Sequence, residues 1–429
     1  MEIGFWKTIL QEWAEKKLPD VYPREKEIDF SGLKPLKKVR VITGFRRSGK
    51  TYLVFSAIKK ILQNHSKKNI LYLNFEDERV PTRTETLTDL IPSFYSFFGR
   101  KPKYLFLDEV QNVPLWSKYI RRVLDNEDMQ IFLTGSSSKM SSFELPTELR
   151  GRSLEQRVWP LTFQEFLTFK GENFDKKSLP YSDDQKARFH FLLNEYLIFG
   201  SLPEIVLANR EMKADIIQEY FKTVIRREIV ERYQLKKEEP VKATAKLLFN
   251  ATYFTISKVY RDLVNQGITL SKNTVGDYFD YLSASYLFTP LSHFSFSYRS
   301  RVTKPRKAYF IDNGFISGLS TTFSQNLGRL WENMVCRVLL QEGSDITYIQ
   351  NDRKTDEVDF VVCEDGRPTR LIQACYALSD RDTQKREIES LLRTGKKLSC
   401  QTLQIITPTA PYLQVPNGIE IITAKDLLL

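Results

Sequence analysis

Four short apolar runs stand out in the first third of the chain: VRVIT at 39–43, ILYLNF at 70–75, YLFLDEV at 104–110 and IFLTG at 131–135. Each is too short for a helix and rich in branched or aromatic side chains, the pattern of a strand buried on both faces of a parallel sheet. Amphipathic stretches between them, among them Thr51 to Gln63 and Trp116 to Leu124, predict the covering helices of an α/β layer. Upstream, Trp6, Ile9, Leu10 and Trp13 fall at helical spacing and predict a leader helix, followed by a loop punctuated at Pro23 and Pro35. Residues 162–236 read as mostly helical, with one long segment from Asp215 to Tyr233, and residues 240–319 as helices followed by a hairpin-like piece. From Gly328 onward a helix, two or three strands and a further helix predict a second α/β unit.

Composition narrows the class. A chain of 429 residues has room for about two to four domains, and 41% hydrophobic with 27% charged residues excludes a disordered polymer. No apolar run approaches the roughly 18–20 residues of a membrane span, and the opening MEIGFWKTILQEWAEKK carries acids and no cleavable apolar stretch. A cytoplasmic protein is expected. Cys336, Cys363, Cys375 and Cys400 form no CxxC pair, and with three histidines neither a disulfide nor a zinc cluster is expected.

The net charge of +11 is unevenly spread. Between Pro240 and Phe310, ten basic residues (Lys242, Lys246, Lys258, Arg261, Lys272, Arg299, Arg301, Lys304, Arg306 and Lys307) face three acids, Asp262, Asp277 and Asp280. Such a concentration is the electrostatic footprint of nucleic-acid binding, although a solvated basic face accounts for the charge alone as well.

Gly44-Phe45-Arg46-Arg47-Ser48-Gly49-Lys50-Thr51 fits the phosphate-cradling pattern G-x-x-x-x-G-K-[ST], between a predicted strand and a predicted helix. There, backbone N–H groups and the positive helix end converge on nucleotide phosphates. Gly44 and Gly49 permit the wrap, Lys50 would reach the terminal phosphates, and the Thr51 hydroxyl would ligate Mg²⁺. Arg46, Arg47 and Ser48 complete the loop as contacts for ATP. YLFLDE ends in two acids, of which Asp108 suits the holding of Mg²⁺ and Glu109 the polarising of an attacking water. Thr134, ending the next strand with Ser136 and Ser137 behind it, is placed to sense the γ-phosphate. Arg150 and Arg152, flanking Gly151, are candidates for the arginine that neutralises charge in phosphoryl transfer, from the same chain or a neighbouring copy.

The strings NILYLNFEDER, YLFLDEVQNV, IFLTGSSSKM, ELRGRS with PLTFQEF, and FGSLPEIV resemble a widespread prokaryotic group of AAA-type ATPases with a C-terminal domain of uncharacterised function. The resemblance runs from about residue 20 to 400. It implies an α/β P-loop NTPase core with a helical lid, a winged-helix module and a C-terminal α/β nuclease-like domain. The corresponding ranges are a leader at 1–36, the core at 37–160, the lid at 161–238, the winged helix at 239–319 and an expectedly inactive restriction-endonuclease-like domain at 320–429. Since sites of this kind lie between subunits, it also implies a homo-oligomer such as a hexameric ring.

Residues 257–282 read as a helix-turn-helix. Ser271 is the predicted N-cap, Lys272, Asn273 and Thr274 the polar front of a recognition helix, and Val275, Tyr278, Phe279 and Leu282 its inward stripe. The following HFSFSYRSRVTKPRKAYF is expected to form a wing hairpin whose tip presents Arg299, Arg301 and Lys304 to DNA phosphates. Further on, Glu332, Asp359 and Gln373 resemble the nuclease arrangement E…D…(E/Q)-x-K, but Gln373 stands where an acid is usual and Cys375 where lysine is usual. Cleavage is therefore doubtful. Glu357 is a further nearby acid, expected from strand alternation to face away from Asp359.

These readings converge on an ATP-hydrolysing machine acting on duplex or branched DNA. The alternatives are a nucleotide-gated regulatory or defence ATPase working through protein partners, and an ATP-licensed nuclease.

Overall fold

Every one of the four apolar runs becomes a strand: β1 (Val39–Thr43), β2 (Ile70–Asn74), β3 (Tyr104–Asp108) and β4 (Gln130–Gly135). A fifth, β5 (Ser153–Arg157), joins them in an all-parallel sheet of order β2-β3-β4-β1-β5. The strand β5 is absent from the apolar pattern because it is an edge, half-exposed, with sequence SLEQR. The computed structural model describes residues 3–31, 33–136, 147–320, 326–351, 356–377, 381–410 and 415–429, and divides into two compact units, Met1–Trp159 and Pro160–Leu429.

In the first unit, strand alternation sorts the core into two faces. Val39, Val41, Leu105, Leu107, Ile131 and Leu133 pack against helices α1 (Ile3–Glu15), α3 (Thr84–Phe98) and α4 (Trp116–Asn126). Ile42, Ile70, Phe106 and Phe132 pack on the opposite face against α2 (Lys50–Leu62), with Phe106 and Phe132 stacked at 4.5 Å. Truncating either ring to Ala would cost about 3–5 kcal/mol. Trp13 of the leader helix donates its indole N–H to the Ile70 carbonyl at 2.8 Å, which ties the leader to the sheet.

The second unit begins with a helical layer: α5 (Phe163–Lys170), α6 (Asp183–Phe199), α7 (Pro203–Leu207) and α8 (Arg210–Thr223). Thr162 and Glu165 form a complete capping box that starts α5. The long helix expected to Tyr233 is α8 continued by a π-helical stretch, Val224–Glu231.

Next, α9 (Glu239–Phe249), α10 (Ile256–Asn265) and α11 (Lys272–Ala284) pack with a small antiparallel sheet of order β6-β8-β7, built from β6 (Tyr253–Phe254), β7 (Phe288–Leu291) and β8 (Arg306–Phe310). The expected hairpin is the antiparallel β7–β8 pair, whose connection carries Arg299, Arg301 and Lys304, but its strands and the form of that connection differ from the expectation. The alternating HFSFS segment lies beyond β7, and the basic cluster sits on a short helix, α12 (Tyr298–Thr303). His293 and its neighbours instead pair with the second large sheet, Phe294 donating its N–H to the Tyr348 carbonyl at 2.6 Å.

After α13 (Asn313–Leu319), the chain runs α14 (Leu327–Glu342), β9 (Asp345–Gln350), β10 (Glu357–Glu364), β11 (Arg367–Ala374), α15 (Arg381–Leu398), β12 (Thr402–Thr407), β13 (Ile419–Thr423) and α16 (Ala424–Leu428). Its sheet has the order β13-β12-β11-β10-β9, antiparallel from β9 to β11 and parallel from β11 to β13. The expected helix, three strands and helix are α14, β9 to β11 and α15, and two more strands and a short helix follow among the described residues.

Candidate active site

The phosphate loop leaves β1 at its carboxyl end, and its glycines act as expected. Gly44 has φ +143°, where a Cβ would collide with the Val158 carbonyl, and Gly49 caps α2 at φ +98°. Arg47 holds φ +66°, a conformation most side chains avoid. Arg24, which no motif signalled, braces the loop from outside by donating to the Ser48 and Trp159 carbonyls at 3.1 and 2.8 Å. Lys50 is buried and lays its ammonium on the loop's own Gly44 and Phe45 carbonyls at 3.1 and 3.2 Å. The Ser48 hydroxyl is buried without a hydrogen-bond partner, and α2 begins with no side chain capping its N–H groups. An orphaned hydroxyl, a lysine parked on carbonyls and open helix N–H donors fit an incoming polyphosphate. Arg46 pairs with Glu76 at 3.1 Å.

Asp108, at the end of neighbouring β3, gathers hydroxyls. Thr51 donates to Oδ2 at 2.9 Å, Tyr72 at 3.2 Å, and Thr134 to Oδ1. All three donors are neutral hydroxyls, and Asp108 with Thr51 is the oxygen pair here that could hold a divalent cation. Glu109 sits at φ +55°, a strained backbone of the kind that collects at functional sites. Its carboxylate accepts from the Ser136 N–H and hydroxyl at 3.2 Å each and from Gln111. Burial raises its pKa above the usual carboxylate range, partly offset by Lys50. Tyr72, Gln111 and Arg24 escaped the sequence reading because each is polar within an otherwise ordinary strand or loop. Ser137 lies outside the described residues.

Arg150 and Arg152 are elsewhere. The β1–β5 register pairs Val39 with Ser153 and Thr43 with Arg157, so residues 150–152 lie at the amino ends of the strands while the phosphate loop leaves the carboxyl end. Arg152 is engaged with Asp125. A same-chain role on the phosphates is thereby corrected, because one strand length, about 13–16 Å at 3.3 Å per residue, intervenes.

In the second unit, Ser271 caps α11 by accepting from the Thr274 N–H at 3.1 Å, and Val275, Tyr278, Phe279 and Leu282 are its buried stripe, as expected. Lys272 and Asn273 are exposed, and Thr274 is half-buried. The same outer face carries Asp277 and Asp280. Arg299 and Arg301 are exposed on α12, with Lys304 just after it. Some of the ten basic residues are engaged within the unit: Lys242 pairs with Glu238 at 2.8 Å, Arg301 donates to the Ser295 carbonyl, and Lys307 is 1% exposed.

Lys307 points from β8 toward α14 and β10. Its ammonium lies 2.9 Å from Glu332, 2.7 Å from Glu357 and 2.7 Å from Asp359. The expectation for Glu357 is thus wrong in its geometry: residues two apart on a strand share a face, so Glu357 and Asp359 both reach Lys307. Burial alone would discharge Lys307, but Asp359 and Glu332 hold its pKa well above the ordinary value. Burial, with Glu332 and Glu357 adding to it against Lys307, raises Asp359 to about 7. Gln373 accepts from the Asp359 N–H at 3.3 Å and donates to Glu387, while Cys375 is buried in an apolar cluster with Val358, Leu371 and Leu391.

A parallel sheet of this order, with a phosphate loop after β1 and an acid pair after β3, defines the class of AAA-type P-loop ATPases. A family model described as an AAA domain matches residues 36–167, and one for a domain of unknown function matches 190–326. An uncharacterized protein of Methanocaldococcus jannaschii is 36% identical across 99% of this chain and 92% of its own length; one of Haemophilus influenzae is 25% identical across 91% and 94%. The chain belongs to the same family as the Methanocaldococcus protein, and its own residues 36–167 are the part that matches the AAA domain. Among solved structures, a Walker-type ATPase of Pyrococcus abyssi aligns at 12% identity and TM-score 0.45 over 71% of this chain and 99% of that one. AMPPCP-bound DnaA from Aquifex aeolicus aligns at 14% and 0.26 over 62% and 93%. Among the described residues, no helix is long and apolar enough to cross a membrane.

Proposed function

We propose that the chain binds ATP with Mg²⁺, hydrolyses it, and uses the cycle to change its hold on DNA. The observation that carries this reading is the convergence of Lys50, Thr51, Asp108, Glu109 and Thr134 at the carboxyl ends of β1, β3 and β4. Lys50 exchanges its carbonyl contacts for the β- and γ-phosphates, while Ser48, the loop N–H groups and the flanking Arg46 and Arg47 line the phosphate path. Thr51 and Asp108 would hold Mg²⁺, which when bound supplies charge neutralisation to the phosphates. Glu109, kept basic by burial and aimed by Ser136 and Gln111, orients the attacking water. Thr134 joins Asp108 to the Glu109 backbone N–H at 3.2 Å, so a change at the phosphates is felt at both acids. Arg150 or Arg152 reaches the phosphates of a neighbouring copy, which makes a homo-oligomer part of the proposal.

DNA is held by Arg299, Arg301 and Lys304 with the first turn of α11, Lys272 to Thr274. The Asp277 and Asp280 carboxylates repel phosphates along the rest of that helix, which confines contact to its front. The same two acids favour a second reading, in which α11 docks a basic protein partner and ATP state governs that contact. ATP turnover measured without DNA and with single strands, duplex, fork and four-way junction tests the first reading. Stimulation by one of them is the expected result; equal rates with all would support the second.

A further inference from the structure

Glu332 of α14 and Glu357 and Asp359 of β10 converge on one point, and that point is filled by a lysine. The Lys307 ammonium has three N–H groups and finds three carboxylates at 2.7–2.9 Å, one for each. Tyr253 and Tyr348 place their rings 5.5 and 5.7 Å from the same ammonium, a second class of cation-stabilising contact. The remaining carboxylate capacity is also largely taken: Tyr309 donates to Glu332 at 2.5 Å, Tyr253 to Glu357, Gln350 to Glu357 at 2.9 Å, and the Ala374 N–H to Asp359 at 2.9 Å.

We infer that Lys307 is a built-in cation occupying the seat of a divalent metal, so that the acid cluster is a metal-free clamp joining β8 of the helix-turn-helix module to the nuclease-like sheet. Lys307 comes from a different element than the acids, β8, and sits at their centre. The clamp also makes the basic face and the second sheet a single body, because β8 carries Lys307 at one end of the strand that follows α12.

The clamp is tested by Mn²⁺ titration of the full chain, read by electron paramagnetic resonance without nucleotide. Wild type and Asp359→Asn are expected to bind the same number of Mn²⁺ ions, since Asp359 holds none while Lys307 is present. Lys307→Ala is expected to bind one more, lost again in Lys307→Ala/Asp359→Asn. One fewer ion in Asp359→Asn than in wild type would overturn the inference, as would a folded Lys307→Ala with no gain. Should Lys307→Ala fail to fold, the comparison of wild type with Asp359→Asn still decides.

Discussion

The molecule holds two lysine–carboxylate sites built on opposite principles. At the phosphate loop, Lys50 donates to carbonyls and Asp108 accepts from hydroxyls, while the Lys50 charge also favours the nearby Glu109 carboxylate. In the second unit, Lys307 is matched directly to three acids. The first arrangement stores charge for a ligand; the second consumes it.

The contrast can be broken or sharpened in three steps. The largest effect is expected from Lys50→Ala, which should abolish ATP turnover; Glu109→Gln should slow it by about 10²–10⁴ while sparing nucleotide binding. Turnover persisting in Lys50→Ala would remove the phosphate loop from the reaction. Next, Lys307→Met strands three carboxylates and should destabilise the second unit by about 3–5 kcal/mol. Replacing Lys307, Glu332, Glu357 and Asp359 together by Met, Gln, Gln and Asn should recover most of that loss. Hydrogen exchange of β8 and β10 amides measures both; an unprotected quadruple variant would show that the cluster does more than balance charge. The smallest effect belongs to the surface. Arg299→Ala, Arg301→Ala and Lys304→Ala combined should lower DNA affinity and reduce its salt slope by about one for each phosphate contact removed. An unchanged slope would move the basic helix out of the DNA reading.

What the residues announced follows the same division. The phosphate loop, Asp108 and Glu109 were legible because their neighbours in sequence are their neighbours in space. The strands β1 to β4 were legible because both faces are apolar. The edge strand β5 was not, since an edge needs no apolar alternation and Ser153–Arg157 has little. Lys307 was the deepest miss. In sequence it is one of ten basic residues and adds to a surface charge, whereas its partners lie 25 to 52 positions away. Only the flanking Ala308, Tyr309 and Phe310 hinted that this strand faces inward. The misreading of Glu357 had a simpler origin, the parity of a two-residue spacing.

The register of β1 with β5 has a consequence for symmetry. A contact that brings residues 150–152 of one copy to the phosphate loop of another joins unlike surfaces, the foot of one sheet to the head of the next. A two-fold dimer pairs like patches and cannot repeat that contact around its axis. Copies so joined must either close in a circle or extend as a filament, and each terminal molecule of an open chain would lack a donor or an acceptor.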